Sequence, residues 1–215
     1  MALPVVARCL GCRPTNPLLW ATYVVQQIDL YIHLRFGRYR GSSSPVPTIS
    51  VATECTLLRA YAASALIDGS ISPRRAFLFG AATDIVDGAL ARFSRGETAF
   101  GARLDGLYDG YFLLAAARTA RRRGGLNRCA EALIWLRFLT VLLVAAVALL
   151  MMRPLTVSST WPGKIASGLQ AATLYEALGP EGRAPRRRQC LAMSLGTLLA
   201  VSGQAARLWP LKDRW

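Results

Sequence analysis

Lysine is almost missing from this chain. Among 26 basic residues only Lys164 and Lys212 are lysines, so arginine carries nearly all of the net charge of +14. Histidine occurs once, at His33, in a mixed apolar and polar run where it reads as an interfacial side chain rather than a ligand or a base. Cysteine is scarce and odd in number; five scattered residues make no disulfide framework. Cys9 and Cys12 form a lone CxxC with no second pair nearby, too little for a zinc or redox site. Acidic residues are absent before Asp29, which is compatible with a transit peptide, although nothing marks a cleavage site. The run Ala2–Ala7 is too short for a secretory signal and lacks a preceding basic region. The sequence also lacks any RNA- or DNA-binding motif to match its pI of 10.6. Its arginines gather at the ends of apolar segments, as they do where a protein meets anionic lipid headgroups. A nucleic-acid partner is therefore not expected.

Apolar residues are plentiful. They make up 53% of the 215 residues, against about 45–50% in ordinary soluble domains, and the mean hydropathy is +0.31. The excess lies in blocks, which points to an all-α integral membrane protein with several spans. Residues 1–50 read as a basic N-terminal segment containing an interfacial amphipathic helix, Leu18–Phe36. Its apolar run is broken by Gln26, Gln27, Asp29 and His33, a mixture suited to the membrane surface. Arg35–Ser44 reads as a basic linker. Residues 51–215 read as a six-helix membrane domain, with spans near Thr53–Ile67, Ala76–Phe93, Arg103–Ala120, Ala130–Met152, Ile165–Leu178 and Cys190–Leu208. Only the fourth is strongly hydrophobic throughout, apolar from Leu133 to Met152 except for Arg137 and Thr140. The distribution of basic loops does not fix an orientation.

Four aspartates interrupt the second and third of these segments: Asp84, Asp87, Asp105 and Asp109. One carboxylate in mid-bilayer costs roughly 2.5–3.5 kcal/mol on insertion scales, so four in adjoining segments imply a shared use. Clustered carboxylates hold hard divalent cations. On a helix Asp84, Asp87, Gly88 and Ala91 fall at about 0°, 300°, 40° and 340°, a single stripe. Gly101, Asp105 and Asp109 recur at i, i+4 and i+8 and also share a face. Eight residues separate Arg92 from Gly101, enough for a turn that lets two antiparallel helices aim both pairs into one cavity. Gly88 and Gly101 would leave room there for a bulky phosphorylated ligand.

The run Asp84-x2-Asp87-Gly88-x2-Ala91-Arg92-x8-Gly101-x3-Asp105-x3-Asp109 resembles the motif of the CDP-alcohol phosphatidyltransferase family at all eight defining positions. Thr56-Leu-Leu-Arg59 resembles the Thr-x-x-Arg of the family's first span. Gly163-Lys164-x2-Ser167-x2-Gln170 resembles a stretch of phosphatidylglycerophosphate and cardiolipin synthases. The resemblance implies six membrane helices, a homodimer, and an active site facing the cytoplasm of a bacterial inner membrane or an equivalent bilayer. It implies transfer of a phosphatidyl group from CDP-diacylglycerol to an alcohol, with release of CMP. Asp84, Asp87, Asp105 and Asp109 are then expected to bind two Mg²⁺ or Mn²⁺ ions, and Asp109 to serve also as general base. Thr56, Gly88, Ala91, Arg92, Thr98 and Gly101 are the expected donor contacts.

The acceptor is less defined. The Lys164 stretch favours glycerol 3-phosphate, a dianion that Lys164, Arg103, Arg118 or Arg137 would meet. Gly106 and Tyr108-Asp109-Gly110 depart from the pattern common in phosphatidylglycerophosphate synthases, so inositol phosphate, phosphatidylglycerol and other alcohols stay open. A non-catalytic lipid-binding membrane protein is the alternative of a different class, and an incomplete aspartate set would favour it. Arg59 and Lys164 could equally be ordinary basic residues at helix ends. Glu54, Glu131 and Glu176 belong to no motif and are read as surface or packing residues, and Gly80 and Gly110 as packing positions.

Overall fold

A computed structural model describes residues 17–36, 51–69, 71–94, 99–150, 161–179 and 186–208. Seven helices and no strand occur among them: α1 Pro17–Phe36, α2 Val51–Asp68, α3 Pro73–Ser94, α4 Ala99–Arg122, α5 Arg128–Leu150, α6 Trp161–Ala177 and α7 Arg186–Leu208. The apolar segments expected from the sequence fall on the last six, except that the fourth runs past α5 to residues outside the described ones and the fifth ends at Leu178, one residue beyond α6. The linker after α1, the N-terminal CxxC and Thr98 lie outside the described residues. Among the described residues no helix is long and apolar enough to cross a membrane. The expected spans therefore gain no support from helix hydropathy. In α2, α3 and α4 the apolar runs are interrupted by Arg59, the aspartates and Arg118.

The chain forms two compact units, Met1–Ala116 and Ala117–Trp215. In the first, α2 packs against both α1 and α3. Alanine makes the close approach of α2 possible: Ala60, Ala62, Ala63 and Ala65 are fully buried along it. The turn into α3 closes at Gly69, whose φ of +73° suits a residue without a side chain. Pro73 then opens α3, where a missing N–H leaves no helical bond unmade. Phe77 stacks on Phe112 of α4 with ring centroids 5.3 Å apart. Phe112 lies so close to Gly80 that a Cβ there would collide with the ring, which supports the packing role read for Gly80.

Three polar side chains of α1, Thr22, Gln26 and Asp29, are bonded inward, while Gln27 is exposed. Thr22 and Ser64 share a hydrogen bond of 2.7 Å, and Gln26 donates to the Leu57 carbonyl at 2.7 Å. Tyr108 of α4 donates its hydroxyl proton to Asp29. Trp20, Val24, Val25, Ile28 and Tyr31 are exposed instead. The expected helix is thus present, with several of its apolar side chains turned outward. Two of the residues that suggested the membrane surface, Gln26 and Asp29, are bonded to α2 and α4.

In the second unit α7 packs against α5 and α6. Gly124, with φ +79°, ends α4 in a Schellman motif: Gly124 N–H donates to the Arg121 carbonyl and Gly125 N–H to that of Ala120. Asn127 caps α5, its Oδ1 accepting from the Ala130 N–H at 2.9 Å. Gln189 of α7 fastens this turn by accepting from Asn127 Nδ2 at 2.9 Å and donating to the Gly125 carbonyl.

Candidate active site

The site is built on three helices of the first unit. Asp84 and Asp87 stand one turn apart on α3, and Asp105 and Asp109 one turn apart on α4. Their spacing alone puts each pair on one helix face. What joins the pairs is Arg59 of α2. Its side chain is only 1% exposed, and it pairs with all four carboxylates. Nη1 donates to Asp105 at 2.9 Å and to Asp109. Nη2 donates to Asp87 and lies 3.2 Å from Asp84. The planar fork of arginine suits this task; a lysine offers three donors on one point. Nε of Arg59 is buried with no hydrogen-bond partner among the described residues.

The four carboxylates differ in exposure. Asp87 is buried at 8%, Asp105 and Asp109 are near 40% and 39%, and Asp84 is 56% exposed. Each of Asp84, Asp105 and Asp109 offers a carboxylate oxygen, and these oxygens lie within 4.8 Å of one another. Asp87, expected to join them, is turned to Arg59 and to Thr56, whose hydroxyl donates to it at 3.4 Å. Thr56, an expected donor contact, also reaches Asp105 at 3.5 Å and is buried among the carboxylates.

A family model described as CDP-alcohol phosphatidyltransferase matches residues 49–203. The chain belongs to this family. No curated protein and no solved structure shows a match to it. As a CDP-alcohol phosphatidyltransferase it is a transferase of substituted phosphate groups, moving a phosphatidyl group from a CDP-alcohol to an alcohol. The family uses divalent metal. The donor set here fits such an ion: three carboxylates, hard oxygen ligands, converge within reach of one cation.

The remaining expected residues divide into three groups. Gly88 lies on α3, partly exposed and one residue beyond Asp87. Ala91 and Arg92 lie on α3, and Gly101 and Arg103 on α4, but their side-chain surroundings are outside the described residues, as is Thr98 altogether. The acceptor candidates of the second unit sit in three different settings. Arg118 is half exposed and lies 3.5 Å from Glu131. Lys164 is exposed, its ammonium 5.3 Å above the Trp161 ring. Arg137 donates to Gln170 and, at 2.8 Å, to Ser167. The polar side chains of the Lys164 stretch are therefore held by Arg137 and do not surround Lys164.

Two residues do more in the structure than their sequence context suggests. Arg59 was indistinguishable from an ordinary basic residue near a helix end. The usable signal was its position among Leu57, Ala60, Ala62 and Ala63, on a helix face with no room for an unpaired charge. Glu131 is buried, and it pairs with Arg121 at 3.0 Å as well as with Arg118. It is a buried ion-pair partner rather than a surface acid.

Proposed function

We propose that this CDP-alcohol phosphatidyltransferase is a membrane phospholipid synthase that uses CDP-diacylglycerol as donor and glycerol 3-phosphate as acceptor. The observation that carries the reaction is the convergence of Asp84, Asp105 and Asp109 within 4.8 Å. Those three residues, with Asp87 completing the set, would hold Mg²⁺ or Mn²⁺. A bound divalent cation supplies neutralising charge for a diphosphate and for developing negative charge. The chain's own residues do the rest. Asp109 takes the proton of the acceptor hydroxyl as its oxygen attacks the lipid-bearing phosphorus. The phosphorus–oxygen bond to CMP breaks, and CMP departs with the electron pair. Thr56 steadies Asp87 and Asp105 through its hydroxyl, and Gly88 leaves space beside the carboxylates for the donor.

Membrane residence is supported by the chemistry and by the outer surfaces of the helices. Donor and product both keep their acyl chains in a bilayer. Ile85 and Val86 flank the aspartates on the exposed side of α3, and Leu136, Leu139, Leu143, Leu191, Leu195 and Leu198 are exposed on α5 and α7. Apolar side chains turned outward while charges are buried inward suit a lipid surround.

Glycerol 3-phosphate is supported by the Gly163–Gln170 stretch and by Arg137. Among the described residues Arg137 is held by neutral side chains and by no carboxylate, leaving its positive charge uncompensated. An acceptor phosphate needs such a cation. The deciding experiment is incubation of the purified protein with CDP-diacylglycerol and a panel of labelled alcohols. Fastest turnover with glycerol 3-phosphate bears the acceptor out. Faster turnover with inositol phosphate, phosphatidylglycerol or an uncharged alcohol overturns it and leaves the family chemistry standing.

A further inference from the structure

We infer that Arg59 is an exchangeable counter-ion of the aspartate cluster, and that divalent cations must displace its guanidinium to be held there. The inference rests on the metal-binding reading of the cluster given above.

Three features support exchange over a fixed structural pairing. The first is shared ligands. Arg59 meets Asp84, Asp105 and Asp109 through the Oδ1 atom of each, and these are the residues whose oxygens converge within reach of one cation. A guanidinium and a metal ion drawing on the same three carboxylates repel each other strongly at such distances. The second is charge. Four carboxylates and one guanidinium sum to −3. One divalent ion brings the cluster to −1 and two bring it to +1, whereas two ions and no guanidinium leave it neutral. Two ions therefore reach neutrality with the four carboxylates only when Arg59 withdraws.

The third is the buried, unpartnered Nε of Arg59. Buried donors are nearly always satisfied, and leaving one unmade is costly. Both Nη groups are committed to four carboxylates while the fifth N–H has no partner among the described residues. The side chain is thus held by negative charge and not by a complete set of its own hydrogen bonds. Removal of that negative charge by metal ions removes what keeps it in place. A permanent strut would be expected to satisfy all five donors.

The test is Mn²⁺ binding to the purified full-length protein without donor or acceptor, read as the loss of the free-ion electron paramagnetic resonance signal. Arg59→Ala is expected to bind Mn²⁺ at least tenfold more tightly than the unaltered protein. Added methylguanidinium should re-enter the vacated space and weaken Mn²⁺ binding to Arg59→Ala competitively, with no effect on the unaltered protein. Equal or weaker Mn²⁺ binding by Arg59→Ala would overturn the inference, because a residue that only aims the carboxylates helps the metal. The metal-binding reading survives that result. Absence of Mn²⁺ binding in both proteins would defeat that reading and this inference together. If Arg59→Ala does not fold, Arg59→Lys serves: it keeps a charge but loses the fork. It should bind Mn²⁺ more tightly than the unaltered protein, and equal or weaker binding again overturns the exchange.

Discussion

Asp109→Asn separates the chemistry of the site from its construction. Asn keeps the volume of Asp and retains an oxygen that accepts from Nη1 of Arg59, while that same Nη1 stays bonded to Asp105 at 2.9 Å. Because Asp109 is 39% exposed, water screens the lost charge, and the change in stability should stay below about 1 kcal/mol. The rate is another matter. A general base contributes typically ~10²–10⁴-fold, which at 1.36 kcal/mol per tenfold raises the barrier by about 3–5 kcal/mol. The assay is CMP release from CDP-diacylglycerol at saturating acceptor, run beside a thermal unfolding curve. The expected result is a kcat lowered at least about a hundredfold with unfolding almost unmoved and donor KM little changed. A variant that keeps more than about a tenth of the normal rate would show that the proton is taken by another group. Asp84→Asn removes a charge from the same trio without removing the base, so it should weaken metal and donor binding while lowering kcat at saturating metal less than Asp109→Asn does.

Three further outcomes follow from individual contacts. Gly80→Leu forces a side chain into the Phe112 ring and should lower unfolding stability by about 1–3 kcal/mol; an unchanged melting curve would mean the ring is not packed there. Gly124→Ala puts a Cβ on a residue with φ +79° that closes α4, and should cost about 1 kcal/mol in thermal unfolding with turnover per folded molecule unchanged. Loss of turnover at full stability would contradict a purely structural turn. Arg137→Gln removes the charge held by Ser167 and Gln170 and should raise KM for glycerol 3-phosphate at least tenfold while leaving donor KM within about twofold, since a charge-assisted hydrogen bond is about twice as strong as a neutral one. Equal changes in both constants would remove Arg137 from acceptor recognition.

The aspartates were legible in the sequence because helical periodicity is local. Spacings of three and four residues put Asp84 with Asp87 and Asp105 with Asp109 before any fold is known. The helices were legible for the same reason, as apolar blocks bounded by charge. The rest depends on which face meets which neighbour. Arg59 lies 25 residues from the nearest of the four aspartates, and only the packing of α2 against α3 brings it to them. Gln26 and Asp29 looked like headgroup contacts because polarity along α1 says which residues differ, not which side faces inward. Ser167 and Gln170 looked free for a ligand until Arg137, 30 residues upstream of Ser167, was seen to hold both. Glu131 was overlooked because its partners Arg118 and Arg121 lie on the preceding helix.

The central claim is that the aspartate cluster works as a divalent-cation site for phosphatidyl transfer, and CMP release under chelation tests it most directly. Purified protein given CDP-diacylglycerol and glycerol 3-phosphate should release CMP with Mg²⁺ or Mn²⁺ present, stop in excess EDTA, and resume when the ion is restored. Asp105→Asn, which withdraws a charge from the converging trio, should need a higher metal concentration for half its maximal rate. Full CMP release in excess EDTA, together with an unaltered metal requirement in Asp105→Asn, would contradict the account.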